Sequence, residues 1–183
     1  MRMELTEINL KTDRNLEKQV KKLYALSFPR EERVPWWLLR LNAHRRNFNL
    51  YAWVEGDAFR GFTASSQVGK LYFLMFLAIQ PEARGTGCGS AILKKLQQEN
   101  ETIVLNMEPM DEAAPNYPER CRRFAFYQRN GFYDTGCDVW EVGGKFRILS
   151  TKPRLDMDSY RKIFKWLSFG LWNVRLKREE RES

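Results

Sequence analysis

The chain holds one histidine and three cysteines in 183 residues. That is a poor supply for a metal centre: His44 has no co-ligands at metal-site spacing, so no metal is expected. Cys88, Cys121 and Cys137 form no C-x-x-C pair and, being three, cannot all be paired, which suits a reducing, cytoplasmic setting. Long apolar runs are missing as well. The run Leu71 to Ile79 has nine apolar residues, whereas a helix crossing a bilayer needs about 20. The opening segment MRMELTEINL lacks the apolar core of a signal peptide, so export is not expected. Nor does any Gly-Lys-Ser/Thr follow the glycine cluster at Gly85, Gly87 and Gly89. A P-loop is therefore excluded, and the G-x-G-x-G spacing does not fit a dinucleotide fingerprint.

What is present reads as one globular domain. Residues are 43% hydrophobic and 30% charged, and the length suffices to bury most of the apolar surface. The formal net charge of +8 and the many aromatics leave a basic nucleic-acid-binding module as an alternative. The basic residues form no continuous patch in sequence, so no nucleic-acid partner is expected.

Periodicity predicts alternating elements without repeats or long linkers. A first strand covers Glu4 to Leu10. Asp13 caps a helix with Leu16, Val20, Leu23, Tyr24 and Phe28 at helical spacing, and Pro29 ends it. Pro35 opens a second helix carrying Trp36, Leu38, Leu39 and Leu41. Phe48 to Val54 and Phe59 to Gln67 form a hairpin around Glu55-Gly56-Asp57. A buried strand (Leu71 to Ile79), a helix (Ser90 to Gln98), a buried strand (Thr102 to Met107) and a helix (Pro118 to Asn130) follow. Phe132 to Val142 and Lys145 to Thr151 close the series as a hairpin. Mixed strands with helices on both faces predict a three-layer α/β fold.

The most informative stretch is the order strand, glycine turn, helix start from Leu71 to Leu93. Such a turn points backbone N–H groups at an anion, and the helix dipole favours negative charge there. Glycines permit close approach and positive φ. Cys88, inside the turn, reads as a small residue that fits rather than as a nucleophile.

Two motifs then carry a resemblance. Arg84-Gly85-Thr86-Gly87-Cys88-Gly89 is similar to the Q/R-x-x-G-x-G/A signature of the GNAT superfamily of acyl-CoA-dependent N-acetyltransferases. Ala125-Phe126-Tyr127-Gln128-Arg129-Asn130-Gly131-Phe132 resembles that family's second signature, an aromatic-Tyr-x-x-x-Gly-Phe helix end. The resemblance spans about residues 1–152. It implies a GNAT-like fold and acetyl-CoA as co-substrate, bound by Leu77, Ala78 and Ile79 and by Arg84, Gly85, Thr86, Gly87, Cys88, Gly89 and Ser90. It also implies direct acetyl transfer to a primary amine, a small molecule or a peptide. Backbone N–H groups beside Leu77 to Ile79 would stabilise the oxyanion, and Tyr127 would partner the departing sulfur. An unperturbed phenol is a weaker acid than a thiol (about 10 against about 8.5), so hydrogen bonding to the thiolate is favoured over full proton transfer. Glu108 would take the amine's proton, with Asp111 and Glu112 as alternatives. A non-catalytic acyl-CoA-binding domain would keep the turn and dispense with Glu108. One departure stands out: relatives often carry asparagine seven residues before the tyrosine, where this chain has Arg120, and Asn116 is out of register to replace it. Glu31 and Glu32, near Trp36 and Trp37, favour a cationic acceptor.

Residues 153–183 read as a helical, basic extension. Asp158 caps a helix with Tyr160, Ile163, Phe164, Leu167, Leu171 and Val174 on one stripe. Trp166, Phe169 and Trp172 occupy the opposite side. From Arg161 to Ser183 seven Lys/Arg face three Glu. Packing on the domain's own sheet, a homodimer contact and a membrane surface all remain open.

Overall fold

A computed structural model describes residues 4–10, 13–141, 144–169 and 174–178. Eight strands form one mixed sheet in the order β1-β2-β3-β4-β5-β7-β6-β8. They are β1 (Thr6–Asn9), β2 (Phe48–Glu55), β3 (Ala58–Val68), β4 (Leu71–Ile79), β5 (Thr102–Met107), β6 (Tyr133–Glu141), β7 (Gly144–Ser150) and β8 (Arg175–Arg178). The helices are α1 (Arg14–Ser27), α2 (Trp36–Ala43), α3 (Cys88–Glu99), α4 (Tyr117–Arg129) and α5 (Met157–Leu167). This is the three-layer α/β arrangement expected from the pattern. Among the described residues no helix is long and apolar enough to cross a membrane. No group of three or more His, Cys, Asp or Glu is placed there to hold a metal ion.

The chain divides into two compact units, and β4 contributes to both. The first comprises Met1–Gln67 and Leu74–Glu99. Asp13 caps α1 as expected, its Oδ1 accepting from the N–H groups of Asn15 and Leu16 at 2.9 Å each. Tyr24 and Phe28 of this helix pack against Phe62 and Phe76 on one sheet face, with ring centroids 4.8–6.4 Å apart. On the opposite face Trp53 is fully buried, donates to Thr63 Oγ1 (2.9 Å) and lies under Lys95 of α3. Helix α2 departs from the expected pattern. Leu41 is exposed, while Asn42 is buried, its amide donating to the Leu38 carbonyl (3.1 Å).

The second unit comprises Val68–Phe73 and Asn100–Ser183. Here β4 runs parallel to β5, with Leu71, Tyr72 and Phe73 opposite Thr102, Ile103 and Val104. The C-terminal segment is part of this unit's sheet and core. Tyr160, Ile163, Phe164 and Leu167 are buried, and the rings of Tyr160 and Phe164 pack on Phe73 at 5.9 and 5.2 Å. Tyr160 donates to Asn106 Oδ1 (2.8 Å), and Asn106 donates to Glu141 (2.7 Å), so α5 is also tied to β5 by polar contacts. Internal packing thus accounts for the apolar stripe as far as Leu167.

Two expectations for that segment need correction. The cap is Asp156 rather than Asp158: Asp156 Oδ1 accepts from the N–H groups of Asp158 and Ser159. The helix ends at Leu167 instead of continuing to Val174, because Phe169 takes φ +55°, outside the right-handed helical region. Strand β8 follows and pairs antiparallel with β6. Arg175 and Lys177 alternate with half-buried Leu176, placing charge along a sheet edge and so discouraging edge-to-edge pairing. Trp140 of β6 is clasped by Lys145 and Arg175, each 5.5 Å from its ring. Of the aromatics expected opposite the stripe, Trp166 is half-buried and Phe169 is 50% exposed, while Trp172 lies outside the described residues.

If α5 is integral to the core, Ile163→Ala should cost about 2–5 kcal/mol of stability in urea denaturation. A change below about 1 kcal/mol would show that α5 is peripheral.

Candidate functional site

In the first unit, β4 ends at Ile79 and a 3-10 turn at Pro81–Ala83 leads into the glycine segment. Gly85 and Gly87 adopt φ of +77° and +89°, a region costly for any residue with a Cβ. Thr86 Oγ1 donates to the Ala83 carbonyl (2.8 Å) and Arg84 Nε to the Ile79 carbonyl (3.1 Å), which hold the turn against the strand end. The helix begins at Cys88, and its first bond runs from Ala91 N–H to the Gly87 carbonyl (2.9 Å). The N–H groups of Cys88, Gly89 and Ser90 precede that bond and have no intrahelical acceptor. Arg84 through Gly87 are exposed. The result is an open turn that presents donors at the positive end of α3.

The Cys88 side chain points away from this chemistry. It is buried, and burial pushes its thiol above the ordinary range, with smaller opposing influences from Arg60 and Glu55. A buried, protonated thiol is a packing residue rather than a nucleophile.

The strand end has a support that the sequence reading passed over. The β2–β3 register shifts so that Trp53 faces Gly61 and Val54 faces Phe59, leaving Arg60 as a bulge. The Arg60 carbonyl accepts from Gln80 N–H (2.8 Å), and Arg60 is ion-paired with Glu55 at 2.9 Å. A Cβ placed on Gly61 would lie 2.4 Å from the Ala78 carbonyl oxygen and 3.0 Å from Ile79 Cδ1. Only glycine lets β4 approach so closely here. The available signal was an isolated glycine inside a strand pattern, which marks a bulge or a close backbone approach.

In the second unit, Tyr127 is set by the way α4 ends. Gly131 takes φ +81°, Gly131 N–H donates to the Gln128 carbonyl (3.0 Å) and Phe132 N–H to the Tyr127 carbonyl (3.1 Å). These are the paired bonds of a Schellman cap, and its customary apolar contact is the Tyr127–Phe132 ring pair at 5.7 Å. The Asn-Gly-Phe motif therefore fixes the tyrosine's backbone and one side of its ring. The hydroxyl has no hydrogen-bond partner among the described residues. Desolvation raises the phenol above its usual value, and the Arg123 charge opposes that rise.

Glu108 is not the open carboxylate expected of a proton acceptor. It follows β5 and is only 13% exposed. Its Oε1 accepts from Asn116 Nδ2 (2.9 Å) and faces Arg120 Nε at 3.6 Å, while Oε2 is paired with Arg123. Arg120 also donates to Asn116 Oδ1 and to the Pro109 carbonyl, both at 2.8 Å. The arginine standing where relatives have asparagine thus braces the 108–116 loop on α4. The two alternative acids are loop residues. Asp111 turns its Oδ1 to the Ala113 N–H (3.0 Å), and Glu112 is exposed.

Near the expected acceptor contacts, Trp36 is committed to the fold, its indole N–H donating to Glu17 (3.2 Å) and its ring packing on Tyr24. Trp37 is 66% exposed. Glu31 and Glu32 lie in a 3-10 turn beginning at Arg30 and followed by Arg33, so their charge is locally balanced.

A family model described as an acetyltransferase (GNAT) domain matches residues 46–134, spanning both motifs. YjbC of Bacillus subtilis (strain 168), which carries a provisional acetyltransferase name, is 38% identical over 79 residues. That match covers 43% of this chain and 38% of the relative, so the chain matches about two fifths of its length. Solved structures extend the likeness in fold. A GNAT-family protein from Bacteroides thetaiotaomicron superposes with a TM-score of 0.70 at 24% identity, covering 92% of this chain and 99% of the other. The aminoglycoside 6'-N-acetyltransferase from Enterococcus faecium gives 0.61 at 18% identity, covering 84% and 100%.

If Gly61 is needed for the approach of β4, Gly61→Ala should destabilise the protein by about 1–3 kcal/mol in urea denaturation. Unchanged stability would mean that the strand end shifts without cost.

Proposed function

We propose that the chain, which matches a GNAT acetyltransferase model over residues 46–134, transfers the acetyl group of acetyl-CoA directly to a primary amine. The observation that supports this most is the open turn from Arg84 to Ser90, with two positive-φ glycines ahead of unpaired helix N–H groups. It suits the pyrophosphate of the cofactor, which needs several donors, positive potential and no side chain in the way. Gly85, Gly87 and the N–H groups of Cys88, Gly89 and Ser90 hold the phosphates, with Arg84 and Thr86 shaping the turn. The backbone of Leu77, Ala78 and Ile79 meets the thioester arm and supplies oxyanion donors, each worth about 3 kcal/mol.

Tyr127 donates a hydrogen bond to the departing sulfur. Its raised phenol makes full proton transfer to a thiolate still less favourable than for free tyrosine, so hydrogen bonding is its role. Glu108 already holds Asn116 on Oε1 and Arg123 on Oε2, and we assign it no proton transfer. The acceptor therefore reacts as the free amine, about one part in a thousand of a lysine-like amine at neutral pH. Below the amine's own pKa, turnover should rise about tenfold per pH unit. A bell with an acidic limb near the carboxylate range would instead restore Glu108 as the base.

The acceptor is to be sought by measuring free thiol released with polyamines, amino acids, aminoglycosides and peptides bearing free N-termini. With an acceptor in hand, Tyr127→Phe should keep acetyl-CoA affinity within a few-fold and lower turnover about 10- to 1000-fold. Turnover equal to the parent's would reduce Tyr127 to packing. Gly87→Glu should abolish acetyl-CoA binding in calorimetry, since it places bulk and negative charge against the phosphates. Unchanged affinity would overturn the cofactor reading.

A further inference from the structure

Within the second unit, the strands at one end of the sheet set their side chains in rows. Lys145 of β7, Trp140 of β6 and Arg175 of β8 stand opposite one another, and two residues along so do Arg147, Asp138 and Lys177. Residues in register on neighbouring antiparallel strands share a face, so these six lie on one side of the sheet. Asp138 is 4% exposed and ion-paired from β7 alone, Oδ2 to Lys145 Nζ at 2.7 Å and Oδ1 to Arg147 Nε at 2.9 Å. Lys177, in register with that carboxylate from the other side, is left without an ion-pair partner among the described residues. Arg175 rests on the Trp140 ring, 5.5 Å from its centre, and has no carboxylate partner there either. Both cations are exposed.

Strand β8 is last in the sheet order, so one of its edges pairs with β6 and the other has no partner strand among the described residues. Backbone N–H and C=O groups along such an edge can take up one more strand, and the charges decide which. A second copy pairing antiparallel about Leu176 would set Arg175 against Lys177, like charge against like, and is repelled. An extended segment with carboxylates at alternate positions meets the same two cations as attraction. Other anions fit less well. Bases of a single-stranded nucleic acid stack on open aromatic faces, whereas Trp140 is half-buried, with Lys145 and Arg175 each 5.5 Å from its ring. A half-buried ring cannot reach into a bilayer, and two cations add only about 1 kcal/mol each at an anionic surface.

We infer that β8 is a docking strand: it takes an extended acidic segment of a partner protein as one further strand of the sheet, with alternate carboxylates facing Arg175 and Lys177. Main-chain hydrogen bonds supply the attachment and the two cations supply the choice of partner. Trp140 and Asp138 are positioning residues in this arrangement. The ring holds the Arg175 guanidinium at the edge, and the carboxylate, committed to β7, leaves the Lys177 ammonium for the incoming strand. The inference does not depend on the acetyl-CoA reading.

The test measures binding of fluorescent peptides to the full chain by anisotropy at low salt, where surface attraction is least screened. The probes are Glu-Val-Glu-Val-Glu, its counterpart with Lys in place of Glu, and two forms of the Glu peptide N-methylated on one or the other alternate set of amides. The Glu peptide should bind and the Lys peptide should not. One methylated form should fail while the other binds, because only one set of amides faces β8. Arg175→Gln and Lys177→Gln should each weaken the Glu peptide about two- to fivefold. Combining Arg175→Glu with Lys177→Glu should abolish Glu-peptide binding and admit the Lys peptide, an exchange that misfolding cannot produce. Equal binding of both methylated forms would overturn the added strand, and undiminished Glu-peptide affinity in the double glutamate variant would overturn the role of the cations. Tighter binding of oligothymidylate or of phosphatidylserine vesicles, lost in that same variant, would reassign the surface to nucleic acid or membrane and overturn the peptide.

Discussion

Burial of β4 is the constraint on which the rest depends. Nine consecutive apolar residues can be kept from water only as an interior strand covered on both sides, and Leu71 to Leu74 are all buried. The first three residues of the strand build the second unit through their parallel pairing with β5. The remainder belongs to the first unit and delivers the chain to the glycine turn. Burial that stabilises the strand therefore also sets the point at which α3 starts. Gly61 adds a local condition, because the Ala78 carbonyl occupies the space where any other residue would carry its Cβ.

The polar part of the site follows a different logic. A carboxylate at a strand end is solvated unless something nearby claims it, and here a helix supplies an asparagine and two arginines at the matching spacing. The ion pairs tie Glu108 to α4. Arg120, which departs from the family pattern, is consumed in the same network. Glu108 and Arg120 are 13% and 16% exposed, so solvent screens their contact less than it would a surface pair, whereas Arg123 is 44% exposed.

Much of the fold was legible in sequence. The strands Leu71–Ile79 and Thr102–Met107 begin and end where their apolar runs do. Helix α1 starts at its Asp13 cap, and the two signature motifs sit on a glycine turn and a Schellman-capped helix end. These features are local. Periodicity, capping and positive-φ glycines act within a few residues, so one-dimensional patterns report them. The C-terminal segment was read less well, since helical spacing continued past the point where Phe169 leaves the helix. Strand β8 is four residues long with three charged, and its pairing with β6 has no strong signature of its own.

By itself the sequence determined the order of elements, the glycine turn, the capped tyrosine and the two motifs that lie within the match to the GNAT family model. Each depends on backbone conformations that neighbouring residues impose. Only the tertiary structure decided that Glu108 is claimed by Arg120 and Arg123, that Cys88 is buried, that Gly61 admits the Ala78 carbonyl and that α5 completes a core. Those outcomes rest on contacts between residues distant in sequence, and on desolvation, which depends on everything packed around a group. A carboxylate's chemistry is written less in its own identity than in which charges the fold brings to it.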